Sequence, residues 1–451
     1  MIEPHSLYFE QALLPEGWAA RVSLRMHEGR IVEVMRDVDP SSGDERHAIG
    51  IPGMPNVHSH AFQRGMAGLT ETRGPAHDNF WTWREVMYRF VGRLGPGEFQ
   101  AVAALAYMEM LESGFTHVGE FHYFHRPTHF SQTVPIDMIA AICAAASKTG
   151  IGLTLLPSFY AHSNCGGKAP LTGQRPFLLT LEEYSRLLDD TRKLAHRLAG
   201  AVVGVAPHSL RAVSPEELAV IVPLAQDGPI HIHAAEQTQE VEDCLRWSGQ
   251  RPVEWLLEHA PVDERWCIIH AIHMTSQEIT GLARSGAVAG LCPVTEANLG
   301  DGIFPTPSFL HDGRMGIGTD SNVLIGVADE LRTLEYTQRL ITRSRNVLCR
   351  GEGSSNGGTL YRSALSGGSQ ALGIGSGLAE GSFADIVSLD AKHPSLAGKK
   401  NDQILDSFLF SSSNRPVSCV WRAGCKVVSD GAHIERENIL ARYRDAIAKI
   451  V

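Results

Sequence analysis

IPGMPNVHSHAFQRGMAGLTE, residues Ile51 to Glu71, joins an apolar run to two histidines one residue apart. The run Ile51–Val57 reads as extended and ends in His58-Ser59-His60. Side chains two apart on a strand share a face. Both imidazoles can therefore converge on one point at the strand's end, as two nitrogen ligands of a metal would. The alternative is a polar strand terminus carrying two unrelated histidines. The rest of the chain decides, because a two-ligand motif needs its context.

Outward from this stretch, strand-like and helix-like segments alternate, which argues for a parallel sheet with crossover helices. Eight strand candidates fall at 51–57, 115–122, 151–159, 201–207, 229–235, 266–272, 287–292 and 314–319. Between them, Phe99–Leu111 runs to a capping Gly114, Thr180-Leu181-Glu182-Glu183 opens a helix to Leu198, and Ser214-Pro215-Glu216-Glu217 opens another. Eight such units fit a (β/α)8 TIM-type barrel spanning 51–375. An open doubly wound sheet is the alternative, but no glycine-rich phosphate loop follows any strand. Residues 1–50 read as a small β-meander. Residues 376–451 add short strands (Ala384–Leu389, Val417–Trp421, Lys426–Val428) and a terminal helix, so the two ends are expected to join as one small β-sandwich. GEGSSNGG, Gly351–Gly358, reads as a mobile loop.

The 451 residues are 43% hydrophobic and 20% charged, and Lys+Arg against Asp+Glu is 40 against 50, a net −10. With no basic cluster, neither nucleic acid nor an anionic membrane is an expected partner. The first residues lack the basic-then-apolar order of a signal peptide, and no apolar run has the length of a bilayer span. Eight cysteines without CxxC spacing suggest reduced thiols and a cytoplasmic protein.

Barrel enzymes build their sites at the C-terminal ends of the strands. Those ends here carry His58 and His60; Glu120, His122 and Tyr123; His208 and Arg211; His231, His233 and Glu236; His270 and His273; Glu296 and Asn298; Asp320 and Asn322. His233 completes a three-histidine set with His58 and His60, whereas His231, one step deeper, suits a buried structural role. Glu236 is placed to reach a metal-activated water. Asp320 either caps the next segment or, with three histidines already converging, serves as a fourth ligand. His270 is a further ligand or, as preferred, a group that polarises that water. Imidazoles with one carboxylate suit zinc with a position left for water; iron and manganese fit the same ligand types. The fourth strand has no lysine to bridge two ions, so one metal per chain is expected.

These residues resemble the amidohydrolase superfamily, which has HxH after strand one, histidines after strands five and six, and aspartate after strand eight. Within it, Pro55–Arg64, Phe80–Glu85, Gly119–Tyr123, His208–Val213 and Thr295–Gly302 are most similar to the formimidoylglutamate deiminases. Those enzymes turn N-formimino-L-glutamate and water into N-formyl-L-glutamate and ammonia during histidine degradation. The resemblance implies His58, His60, His233 and Asp320 as metal ligands. It implies Glu236 as proton shuttle, His270 as the group orienting water or the tetrahedral state, and Gln63, Arg84, Tyr123, His208 and Arg211 as substrate contacts. Asn322 departs from it, since related deiminases often carry histidine there. A dicarboxylate substrate fits two arginines, because guanidinium binds carboxylate through paired hydrogen bonds. The alternative for each arginine is surface charge or a helix salt bridge. Other functions left open are a deaminase of aminopurine-like heterocycles and a non-catalytic barrel acting as a binding module. A homodimer is expected.

Overall fold

A computed structural model describes residues 5–74, 78–128, 132–349, 351–375, 377–412 and 416–450. Eight parallel strand positions follow one another: Met54–Ser59, Phe115–His122, Gly152–Phe159, a fourth in two pieces (Val202–Val203 and Ala206–Pro207), Ile230–Ala234, Trp266–His270, Val288–Leu291 and Arg314–Ile317. Pairing runs continuously from the fifth strand round through the eighth, first, second and third to the fourth. Bridges from Val205 to Ile230 and from Ser209 to His233 join fourth to fifth and close the ring. The eight strands occupy the predicted positions because each is an apolar run short enough to be buried on both faces. Helices Pro96–Glu112, Pro135–Thr149, Leu181–Ala195 and Pro215–Leu224 cover the outside, the last two opened by the capping boxes at Thr180 and Ser214.

The fourth strand breaks at Gly204. A side chain there would strike the Pro229 carbonyl oxygen at 2.3 Å, so the chain kinks between the two pieces. The first strand also differs from expectation. Ile51 and Pro52 end an outer strand, Glu45–Pro52, and the barrel strand starts only at Met54. Two strands of different sheets thus meet end to end at Gly53, which an unbroken apolar run does not reveal.

The chain ends form a second, eight-stranded sheet. Its order is Ala432–His433, Cys425–Ser429, Val417–Arg422, Ile386–Leu389, Glu45–Pro52, His5–Leu14, Gly17–His27, Arg30–Met35. Neighbours are antiparallel except that His5–Leu14 runs parallel to Glu45–Pro52. Arg30 bridges Phe383, so the sheet curls back on itself around Phe9, Leu24, Ile31, Ile386 and Trp421. The terminal helix Arg436–Ile450 lies along the barrel, with Arg436 paired to Glu112 and Lys449 to Glu98.

The stretch expected as a mobile loop is partly helix. Asn356–Leu372 begins inside it, and the Ser355 hydroxyl caps Gly358 N–H at 2.8 Å. Two glycines in that first turn stand where side chains would collide with the backbone at Leu405 and Asp406 or with the Asp402 carboxylate. Close packing, not chain freedom, accounts for them. The same helix ends under the barrel, where the Ala371 carbonyl accepts from His231 (2.7 Å) and the Leu372 carbonyl from Thr154 (3.0 Å). No helix among the described residues is long and apolar enough to cross a membrane.

Candidate metal centre

Strands one and eight end side by side at the barrel mouth. Gly318 permits this, since a Cβ there would sit 2.8 Å from the His58 backbone. Thr319 and Asp320 N–H both donate to the His58 carbonyl (3.0 and 2.9 Å), and His60 N–H returns a bond to the Asp320 carbonyl at 2.9 Å. Asp320 is held at φ +43°, a conformation that L-residues seldom adopt, so these bonds fix it against local strain. Asn322 completes the clamp. Its amide donates to Ser59 Oγ, the His60 carbonyl and the Asp320 carbonyl at 3.0–3.2 Å, while its oxygen accepts from Thr319 Oγ1 at 2.6 Å. Asn322 is fully buried with its polar atoms spent on this join, so the departure at this position alters the wall behind the site.

The join aims three imidazoles at one point. His58 Nε2 lies 3.2 Å from His60 Nε2 and 3.1 Å from His233 Nε2, and Asp320 Oδ1 lies 3.4 Å from both His58 and His60. His60 Nδ1 donates to the Phe121 carbonyl (2.7 Å) and His233 Nδ1 to the His208 carbonyl (2.9 Å). With its proton committed there, each neutral ring turns a bare Nε2 lone pair inward. Burial keeps the rings neutral: it holds His233 well below the usual range, lowers His60 and takes His58 to about 3. Burial would raise the Asp320 carboxyl, but its contact with His58 and the positive charge on His270 outweigh it and hold it below the usual range. Facing lone pairs and a carboxylate repel one another, and a cation between them removes that repulsion. His58, His60, His233 and Asp320 therefore fit a single metal ion, and the first three lie close enough together to hold one. His270, Cys292 and Asp320 form an adjoining set that shares the aspartate.

Beside these donors lies a buried cluster of ionisable side chains. Glu236 Oε1 is 3.8 Å from His270 Nε2, Asp320 Oδ2 is also 3.8 Å from it, and His270 Nδ1 meets Glu296 Oε1 at 3.1 Å. Burial would push His270 down, but the Glu296 bond and the Glu236 and Asp320 charges raise it to about 10. Burial likewise raises Glu236 above its ordinary value. Arg211 donates to Glu236 Oε2 at 3.1 Å, and Glu240 receives the backbone N–H of Ala235 and Glu236 (both 3.1 Å), fixing the turn that carries the carboxylate.

A cavity opens above, reaching His60, His233, Glu236, His270 and Asp320 at its floor. Gln63, Arg84, Tyr123, His208 and Arg211 all line it. Gln63 donates to the Tyr123 hydroxyl at 2.9 Å, leaving its own buried Oε1 without a partner. Arg84 sits on the helix Phe80–Val91, not in an irregular loop, with its guanidinium 4.5 Å from the Trp81 ring centroid. The Nε atoms of Arg84 and Arg211 are buried and lack hydrogen-bond acceptors. Other charged strand-end residues do not join. Glu120 receives the Ala61 N–H, and His273 donates to the Asp301 carbonyl. Tyr160, Tyr88, Trp83 and Leu299 also line the cavity. Tyr160 directly follows the third strand, the one position among these that a survey of strand ends could have flagged.

The amidohydrolase family model matches residues 49–427. The chain belongs to the amidohydrolase family. Residues 5–48 match a model described as the N-terminal domain of formimidoylglutamate deiminase HutF. Formimidoylglutamate deiminase of Pseudomonas aeruginosa is 47% identical over 99% of both chains. The 5-methylthioadenosine/S-adenosylhomocysteine deaminase of Natronomonas pharaonis is 30% identical over 85% of this chain and 84% of its own. The crystal structure of an amidohydrolase from Brucella melitensis superposes with a TM-score of 0.95 at 49% identity, over 99% of each chain. An adenosine deaminase from Xanthomonas campestris has the same fold, with TM-score 0.81 and 20% identity over 99% of this chain and 98% of its own. The chain is thus an amidohydrolase with a TIM-type barrel, and the metal dependence of that family agrees with the donor set at its mouth.

Proposed function

We propose that the chain is a zinc-dependent deiminase converting N-formimino-L-glutamate and water to N-formyl-L-glutamate and ammonia in histidine degradation. The observation that carries this reading is the pairing of a four-donor floor with two guanidiniums that line the same cavity and whose buried Nε atoms make no hydrogen bond. A dicarboxylate amidine presents a group for each end. The 47% identity to a formimidoylglutamate deiminase over the whole chain supports the same substrate.

His58, His60, His233 and Asp320 would hold the zinc, which supplies Lewis acidity and lowers the pKa of a water from 15.7 to about 7. Glu236 takes a proton from the attacking water and delivers it to the departing nitrogen. The new C–O bond forms at the formimidoyl carbon, the C–N bond to the terminal nitrogen breaks, and ammonia leaves with the proton that Glu236 carries. Asp320 would take the remaining proton of the added hydroxyl as its oxygen becomes the formyl carbonyl, and that proton too goes to the departing nitrogen. His270, steadied by Glu296, donates toward the oxygen on which charge develops. Gln63 Oε1 accepts an amidine N–H. Tyr123 and His208 pack the substrate's midsection, and Arg84 and Arg211 receive its carboxylates. The eight free cysteines suit a reducing cytoplasm.

A heterocyclic substrate, as acted on by the 30% identical relative, would offer Arg84 and Arg211 no carboxylate, leaving Arg211 only its pairing with Glu236 and Glu240. Ammonia release from N-formimino-L-glutamate, measured with and without a chelator, separates the readings. Release that the chelator abolishes and added zinc restores is expected. Undiminished release from the chelated protein, or release only from an aminopurine, would sink the proposal.

A further inference from the structure

Tyr160 brings to the cavity a hydroxyl whose proton has no acceptor among the described residues. Tyr160 stands at the barrel mouth immediately after strand Gly152–Phe159 and is buried, with its ring packed edge-on against His208 at 4.6 Å between centroids. Its oxygen accepts from Gln174 Nε2 at 2.8 Å. That direction is fixed, because the other amide atom of Gln174, Oε1, accepts from Leu171 N–H at 2.7 Å. The amide therefore cannot turn round without setting two N–H groups face to face. With one lone pair taken by Gln174, the phenol keeps a proton to donate, and no acceptor for it lies among the described residues. Burial raises the hydroxyl above its usual range, while the Arg211 and Arg84 charges pull it down, so both guanidiniums act on this oxygen.

A neutral donor and two cations that line one cavity make a receptor for an anion. We propose that the Tyr160 hydroxyl donates to one of the substrate carboxylates that Arg84 and Arg211 receive, which makes Tyr160 a specificity-determining residue for dianionic substrates. Gln174 is its positioning residue. It lies buried in the turn Thr172–Phe177 and orients the phenol without lining the cavity. The inference rests on the dicarboxylate reading above and adds a third donor to it. It also gives a role to the loop after the third strand, which brings no ligand to the metal.

Tyr160→Phe keeps the ring and removes only the hydroxyl. Assayed by ammonia release, it is expected to lose about tenfold or more in kcat/KM on N-formimino-L-glutamate, mainly through KM, since a hydrogen bond to a charged group is lost. On N-formimino-L-glutamine and 4-formimidoylaminobutyrate, which each lack one carboxylate, the loss should shrink to within about threefold for whichever analogue lacks the carboxylate that Tyr160 meets. Gln174→Met should give a smaller loss with the same substrate pattern. A Tyr160→Phe enzyme within about threefold of wild type on the full substrate would overturn the assignment while leaving the dicarboxylate reading intact. So would an equal loss on all three substrates, which marks a structural role. A wild-type enzyme that releases no ammonia from N-formimino-L-glutamate would bring down both.

Discussion

The barrel mouth and the outer sheet are both buried, yet they are built from opposite materials. In the sheet, Phe9, Leu24, Ile31, Ile386 and Trp421 form a core of apolar side chains. Of its positive-φ residues outside glycine, Glu28, Asp37, Ala423 and Asp430 fall at bends and turns, and Arg21 lies within Gly17–His27 where the pairing with His5–Leu14 skips a residue. At the mouth, Ala235, His270, Ala271, Asp320 and Asn322 take positive φ among buried imidazoles and carboxylates. Each such residue costs on the order of 1–3 kcal/mol and persists only where its surroundings over-determine it. The sheet therefore gives stability to the molecule, and the mouth consumes some of it to aim charged groups. Substitutions in the two regions should separate accordingly, with activity lost in one and the fold weakened in the other.

Glu236→Gln should sharpen the contrast most. Loss of the proton carrier is expected to reduce kcat by roughly 10²–10⁴ with bound metal and melting temperature unchanged; a variant with near-normal turnover would remove Glu236 from this role. Trp421→Ala is the mirror experiment. Deleting a core indole that is 1% exposed should cost about 3–5 kcal/mol in denaturant unfolding, with kcat per folded molecule preserved. A fall in kcat instead would join the two regions that the comparison separates.

Asn322→Ala sits on the boundary. It strands the Thr319 hydroxyl and frees the Asp320 turn, so about 1–3 kcal/mol of stability and part of the metal affinity should go together. Metal affinity unchanged in a destabilised variant would show that the clamp does not position the ligand.

The smallest effect concerns pH. Burial depresses His125 and His231 to about 4. Their unfolded counterparts titrate near 6.5, so the stability that they contribute is present above that value and is lost as pH falls toward about 4. Melting temperature should decline through that interval, and His125→Phe should make the decline shallower; an unaltered slope would contradict the assignment of buried neutral imidazole at this position.

Much of this was legible before any coordinates. The HxH pair, His233 and Asp320 end apolar runs, and strand periodicity with barrel geometry brings such ends to one rim. The eight strand positions followed from the same pattern. What stayed hidden depends on contacts between distant segments. Gly53 divides two sheets inside one apolar run, because both halves are buried and hydrophobicity does not record which sheet pairs with which. The helix that carries Arg84 left little trace in the sequence, since the Asn79 cap that opens it is a single side chain accepting from Trp81 and Thr82 N–H. Gln174 and Cys292 carry no local signature; one acts through Tyr160, and the other reaches His270 and Asp320 only because the strands close. Glu296 was visible as an ionisable group near the seventh strand's end, but its grip on His270 spans 26 residues and was not.

The central claim, that four side chains from separated segments enclose one cation, is tested most directly by counting metal. Elemental analysis of the purified wild-type chain, alongside His60→Ala and Asp320→Ala, should give close to one zinc per chain in the first and a small fraction in the variants. Wild-type protein without metal that still releases ammonia from N-formimino-L-glutamate in the presence of a chelator would contradict it, as would variants that bind metal as the parent does.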